Sequence, residues 1–209
     1  ETEEMKKRAK ILNNYGWKYA MMDVVVAGTA AVQTMRNVLG DYKMAIHAHR
    51  AMHASFDKNP KHGITMQFLA KSMRLIGVDQ IHGGTAVGKL TGTKHEVQTI
   101  AETLRETIVK EDKFSLLNQN WHNIKPAFPV ASGGLHPGLV PEVLKILGTD
   151  CGLLVSGGIH GHPQGTRAGA KATMQAIEAF KEGISLEEKA KSSIELKQAL
   201  DKWGHLHPK

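Results

Sequence analysis

The chain has 209 residues, 41% of them hydrophobic, a formal net charge of +7, 12 histidines and one cysteine; this fits one domain with a real core. No apolar run nears the roughly 18 residues of a membrane helix, the acidic start Glu1-Thr2-Glu3-Glu4 is not expected to be a signal peptide, and lone Cys151 rules out an intramolecular disulfide and fits a reducing cytoplasm. The basic balance suits anionic partners, whether nucleic acid, a membrane surface or phosphorylated metabolites, but with aromatics at 5% there are few stacking platforms for nucleic acid.

In chain order, Thr2 to Gly16 is predicted as a helix: Thr2 caps it, Met5, Ala9 and Leu12 recur at helical spacing, and Gly16 ends it. Lys18 to Val26 is a near-continuous apolar run, as expected of a strand buried on both faces. A helix from about Thr29 to Leu39 follows, then a strand at Met44–Ala48 and a helix at His62–Ile76. Gln80–His82 is a strand, His95–Lys110 a helix and Ala127–Ala131 a strand ending in Ser-Gly-Gly. Pro137–Leu147 is a helix with proline in its first turn, stopped by Gly148. Gly152–Val155 is a strand, again ending in Ser-Gly-Gly, and helices close the chain at Arg167–Lys181 and Leu186–Trp203. In the last of these, Lys189, Lys191, Lys197 and Lys202 alternate with acids as on a solvated face.

Strands alternating with helices predict parallel βαβ units, in a doubly wound sheet or a TIM barrel. A closed barrel needs eight strands and about 250 residues, so the five predicted here are expected to leave it open. The sequence also enters directly on a helix, as though the preceding strand lay upstream.

In α/β folds functional groups gather at the C-terminal ends of strands. After the second strand, His47 and His49 share one face, followed by Arg50. A histidine there suits acid–base work because it titrates near neutrality, and Arg50 offers a fixed donor fork for phosphate. An HxH pair also fits a metal site or plain polar packing. After the third strand, His82-Gly83-Gly84-Thr85-Ala86-Val87-Gly88-Lys89-Leu90 is a glycine-rich loop carrying a lysine that could close over an anion. It lacks the Gly-Lys-Ser/Thr ending of a P-loop. Ser132-Gly133-Gly134 and Ser156-Gly157-Gly158 follow the last two strands, where barrels often bind phosphate; paired glycines also simply make tight turns. His160 and His162 form a second HxH, expected to be structural.

These stretches resemble the RuBisCO large-subunit family. His47-Ala48-His49-Arg50-Ala51-Met52-His53 looks like its fifth barrel strand, His82 to Leu90 like its loop 6, Pro129 to Gly138 like its seventh strand, and Gly157-Gly158-Ile159-His160-Gly161-His162-Pro163 like its eighth. The match runs in order over nearly the whole chain and is most like the archaeal form III enzymes, linked to nucleotide-derived pentose bisphosphates. The resemblance implies the C-terminal five βα units of a TIM (β/α)8 barrel, residues 1–209 being one partial barrel domain. It implies catalytic roles for His49, as a late proton acceptor, and Lys89, which would stabilise the carboxylate formed from CO2. Arg50 and His82 would hold one phosphate of ribulose 1,5-bisphosphate, and Ser132 a sugar hydroxyl. Gly133, Gly134, Ser156 and Gly157 would line the second phosphate site. Implied with these are carboxylase and oxygenase (monooxygenase) activity, a cytoplasmic location and a homo-oligomer built of dimers.

Three departures stand out. Leu154-Val155-Ser156-Gly157 replaces a usual Gln-x-Gly-Gly, and the serine is expected to crowd the phosphate nest. Thr91 replaces an acidic anchor of loop 6, and Gly83 a larger residue. The family's Mg2+ ligands, including a carbamylated lysine, are expected upstream of residue 1, so no metal ligand is assigned here. These 209 residues alone are therefore expected to be inactive until an N-terminal segment complements them. Alternatives are a RuBisCO-like enolase or isomerase, which retention of His49, Arg50, His82, Lys89 and Ser132 disfavours, and a non-catalytic truncated barrel subunit.

Overall fold

In a computed structural model, residues 1–59, 61–87 and 93–205 are described. They fall into two compact units, Glu1–Gly83 with Thr99–Pro129, and Gly84–Gln98 with Val130–Lys209.

The first unit opens with α1 (Thr2–Asn14), whose N-cap is Glu1, without a side-chain cap bond, in place of the expected Thr2. β1 (Tyr19–Asp23) ends three residues before the predicted strand does, because Val24–Ala27 forms a helical turn, α2, closed by Gly28 at φ +81°. β1 is also not buried on both faces. Ala20 and Met22 are buried, while Tyr19 and Met21 are 57% and 62% exposed. Among the described residues β1 pairs only with β2, which makes it an edge strand. α3 (Thr29–Asp41) buries Val32, Met35 and Leu39. β2 (Ala45–His49) runs parallel to β1, matching Tyr19 to Ala45 and Asp23 to His49.

After the short α4 (Ala54–Asp57), α5 (Met66–Ile76) starts four residues later than predicted, at Thr65, whose hydroxyl accepts from the Phe68 N–H at 3.1 Å. A capping hydroxyl satisfies one of the free donors of the first turn, and this fixes the start. β3 (Gln80–His82) lies parallel to β2, with His47 opposite Gln80. α6 (Lys94–Arg105) stops before the predicted Lys110: β-branched Ile108–Val109 instead forms β4, antiparallel to β5 (Gln119–Asn120). Val24, Val32, Leu39, Ile46, Met73, Ile81 and Leu104 form the centre of this unit's core. The Phe128 N–H donates to Asp79 O at 2.8 Å, bringing the chain back beside β3.

β6 (Phe128–Ser132) enters the second unit at Val130, and from there runs parallel to β7 (Gly152–Leu154), with Ser132 opposite Leu154. The predicted Pro137–Leu147 helix is a 3-10 turn (Pro137–Leu139) leading into α7 (Val140–Leu147), ended by Gly148 at φ +75°. A short α8 (Gly157–His160) precedes α9 (Gly165–Glu182). The single helix expected over Leu186–Trp203 is two, α10 (Leu186–Ala190) and α11 (Ile194–Trp203). α9 packs against α7, α8 and α11, burying Ala172, Ala176 and Leu196. The strands β1, β2, β3, β6 and β7 are the five that the sequence predicts.

Candidate active site

The first unit gathers histidines at the C-terminal ends of its strands. Alternation along β2 keeps Ile46 and Ala48 in the core and turns His47 and His49 to the other face. His82 ends β3 and is buried, and Arg50, directly after β2, is buried too. The His82 ring stands edge-on to both neighbours, its centroid 4.8 Å from that of His47 and 4.8 Å from that of His49.

The hydrogen bonds order this cluster. Gln80 Oε1 is a carbonyl oxygen and only accepts, so His47 Nδ1 donates to it, at 2.6 Å. That leaves His47 Nε2 to accept from His82 Nε2–H at 2.7 Å. His82 is held neutral near pH 7, its pKa pushed down to about 4 by burial first and then by His47, His49 and Arg50, with Asp23 pulling the other way. On the other flank, the Asp23 carboxylate bonds His49 Nδ1.

The second unit holds the glycine-rich turns. Ser132 is buried at the end of β6, and Gly133 and Gly134 follow at φ +118° and +67°. Both angles lie where a side chain is strained, so both positions call for glycine. Ser156 sits at an ordinary φ of −78°, exposed, with its carbonyl accepting from the Ile159 and His160 N–H groups at 3.1 and 3.0 Å. The serine that replaces a glycine therefore imposes no backbone strain. Gly158 is the tighter position: a Cβ there would lie 2.4 Å from Leu135 O and 2.5 Å from His136 Cα. Its hydrogen lets the turn after β7 rest on the turn after β6, bringing Ser132-Gly133-Gly134 and Ser156-Gly157 into one region of the unit.

Of the second HxH, His160 is exposed, 3.2 Å from Thr166 Oγ1. His162 is buried, donates Nε2–H to Glu195 O at 2.9 Å and accepts at Nδ1 from the Gln164 N–H at 3.1 Å. At Gly83 a Cβ would meet Ile100 at 3.5 Å, an ordinary contact, so the small residue is not a steric requirement. Lys89 and Thr91 lie outside the described residues.

The sequence reading thus finds His49, Arg50 and His82 together in one unit, and Ser132, Gly133, Gly134, Ser156 and Gly157 together in the other. It did not single out Asp23 or Gln80. Asp23 had a signal, a charge closing an apolar strand run. Gln80 could be paired with His47 only once the strand register was known.

The family profile described as ribulose bisphosphate carboxylase large chain, catalytic domain, matches residues 1–203. The chain belongs to this family. It is 56% identical over 205 residues to the ribulose bisphosphate carboxylase of Pyrococcus abyssi, covering 98% of this chain and 45% of that protein. It is 52% identical over 201 residues to that of Methanocaldococcus jannaschii, covering 96% and 47%. Among solved structures, the dimeric archaeal Rubisco from Hyperthermus butylicus matches with a TM-score of 0.91 at 47% identity, over 99% of this chain and 48% of that one. The octameric enzyme from Pyrococcus horikoshii matches with a TM-score of 0.85 at 51% identity, over 98% of this chain and 46% of that one. The chain spans about half the length of the relatives it matches, and the part matched is C-terminal, so its βα units are those of the RuBisCO barrel's C-terminal portion.

Proposed function

We propose that residues 1–209 are the C-terminal barrel portion, a single domain, of a cytoplasmic archaeal ribulose-bisphosphate carboxylase. The enzyme would be a lyase that adds CO2, or O2, to ribulose 1,5-bisphosphate and forms 3-phosphoglycerate on carboxylation. The observation that carries this reading is the group His49, Arg50 and His82, joined at the ends of two parallel strands in a chain of this family.

Each residue has chemistry suited to its part. Arg50 stays charged and presents a planar fork that matches a phosphate. Beside the neutral His82 ring it would hold one phosphate of the sugar, the guanidinium supplying the donors. His49, partly open to solvent, would accept a proton in the later steps. Gly133 and Gly134, with Ser156 and Gly157, would offer backbone N–H groups to the second phosphate, and Ser132 a hydroxyl to the sugar. Lys89 would meet the carboxylate that forms as CO2 adds, placing positive charge where negative charge develops.

The family implies Mg2+, held in part by a carbamylated lysine. The described residues include no group of three or more His, Cys, Asp or Glu able to hold a metal ion, so no described residue is assigned as a metal ligand. Assembly into dimers, or with a segment that supplies those ligands, belongs to the same proposal.

The test is incorporation of labelled CO2 into 3-phosphoglycerate from ribulose 1,5-bisphosphate, by the protein that carries this chain at its natural length. Lys89→Ala is expected to lower turnover by about 100-fold or more. Equal turnover in the mutant would remove the lysine from the site. A rearranged bisphosphate without fixed label would instead assign the enolase or isomerase chemistry of RuBisCO-like relatives.

A further inference from the structure

His49 has a partner on the neighbouring strand, and the strand register puts it there. β1 and β2 are matched so that Asp23 lies directly opposite His49. Both are the last residues of their strands, and the Asp23 carboxylate bonds Nδ1 of the ring. A carboxylate at neutral pH only accepts. The proton of the neutral ring therefore sits on Nδ1, and Nε2 keeps its lone pair. The Ala51 N–H also approaches Nδ1, at 3.2 Å. A protonated Nδ1 cannot accept from it, and the charge-assisted bond to the Asp23 carboxylate decides the tautomer.

The surroundings fit a group that must stay reachable. The side chains of His49 and Asp23 are 38% and 52% exposed. His82 stands edge-on to His49 from β3, with ring planes at 84°. Arg50 follows His49 in the chain, and His47 lies two residues before it on the same face of β2. Of these neighbours Asp23 alone is a carboxylate, so it alone among them can force the proton onto Nδ1.

We propose that Asp23 is a positioning residue of this active site: its bond to His49 Nδ1 fixes the ring orientation and the tautomer in which Nε2 accepts a proton. The inference rests on the reading of His49 as a proton acceptor given under Proposed function. The proton balance is simple. A proton leaves the substrate or its attacking water and joins Nε2, the Nδ1–H stays on the ring, and Asp23 remains a carboxylate throughout. The proton on Nε2 is later returned to product or solvent. Asp23 touches no reacting atom; its effect runs through His49, as in other carboxylate–histidine pairs where the carboxylate sets the tautomer.

The experiment uses Asp23→Asn and Asp23→Glu in the protein that carries this chain at its natural length, with the histidines labelled with 15N. In the wild type the ring-nitrogen shifts of His49, assigned by their loss in His49→Asn, should report the Nδ1–H form. Asp23→Asn should move them toward the Nε2–H form, because an amide can donate to Nδ1. Its turnover of ribulose 1,5-bisphosphate should fall about tenfold to hundredfold in kcat, short of the 10²–10⁴ expected on losing a general base outright. KM should stay within about twofold, since Asp23 does not touch substrate. Asp23→Glu, which keeps the acceptor, should recover the Nδ1–H shifts and part of the turnover. An Nε2–H form in the wild type, or an unchanged spectrum and unchanged kcat in Asp23→Asn, would overturn the proposal. If His49→Asn itself retained full turnover, the proton-acceptor reading would fall and this proposal with it, while the wild-type spectrum would still report separately whether Asp23 sets the tautomer.

Discussion

Arg74 places a guanidinium in the interior of the first unit, 1% exposed. It sits on the apolar face of α5, one turn after Ala70 and next to Met73. Its donors go to backbone carbonyls at the end of α6 and in the segment that follows it: Nη1 to Thr103 O at 2.6 Å and Glu106 O at 2.7 Å, Nε to Lys125 O at 3.2 Å, and Nη2 to Ile124 O at 3.3 Å. The Trp121 ring lies 4.4 Å from the guanidinium carbon. Burial lowers the Arg74 pKa, and Glu106 opposes the shift. One side chain thus fastens both ends of the β4–β5 excursion, a segment with little regular structure of its own. Arg74→Met keeps the stem but leaves four carbonyls without these donors. Hydrogen bonds to a charged group contribute about 1.5–3 kcal/mol each, offset by the cost of burying the charge. The net loss should be about 3 kcal/mol, read as a lower urea midpoint at an unchanged m-value. An unchanged midpoint would show that the segment is held by its other contacts. The charge on an apolar helix face was visible in the sequence. Its purpose was not, because its acceptors lie 29 to 51 residues away.

At the scale of elements, what was legible depended on how local the cause was. The five strands, and the glycines that stop α7 and turn the chain after β6, were readable because hydrophobic period and positive φ are set by neighbouring residues. The gathering of His49 with His82 was readable in outline, since strand ends in parallel α/β folds meet on one side. The break between α10 and α11 was not. Locally, Lys191 to Ser193 differs little from a helix interior, and its serines only weakly favour an exit. The decisive contact is tertiary. Gln175, on α9, accepts from the Leu196 N–H at 2.9 Å and donates to Glu195 at 2.9 Å, capping the first turn of α11 from another helix. Lys171 adds an ion pair to Glu195 at 2.6 Å. Gln175→Leu should therefore cost about 1 kcal/mol, the usual worth of a lost cap. Hydrogen exchange should speed up in the first turn of α11 and leave the middle of α9 unchanged. Equal protection in mutant and wild type would mean that the break is set by the Ser192-Ser193 pair alone.

For the whole molecule, the same burial that shapes the site sets the acid limit of the fold. His82 titrates at about 4 in place of the usual 6.5, chiefly through burial and then through His47, His49 and Arg50. His136, in the second unit, is also pushed down by burial, and its ring stacks on Trp203 at 5.8 Å. In both cases the unfolded chain binds the proton more tightly than the folded one. Stability is therefore complete above about 6.5 and falls as the pH drops from there through about 4. Glu195 belongs to a lower window. Hydrogen bonds from Lys171 and then Gln175 hold it at about 2 in place of 4.5, so its contribution survives until the pH falls below 4.5 and is lost toward 2. The loss from these histidines should thus come before that from Glu195. Thermal midpoints measured from about pH 7 down to pH 4.5 should decline steadily in the wild type. In His82→Gln that slope should flatten even though the starting midpoint is lower, because the titrating group is gone while the lost hydrogen bond acts at every pH. His136→Gln should flatten it by a further increment, since the two histidines belong to different units. A slope unaltered in both variants would trace the acid loss to groups other than the two buried rings.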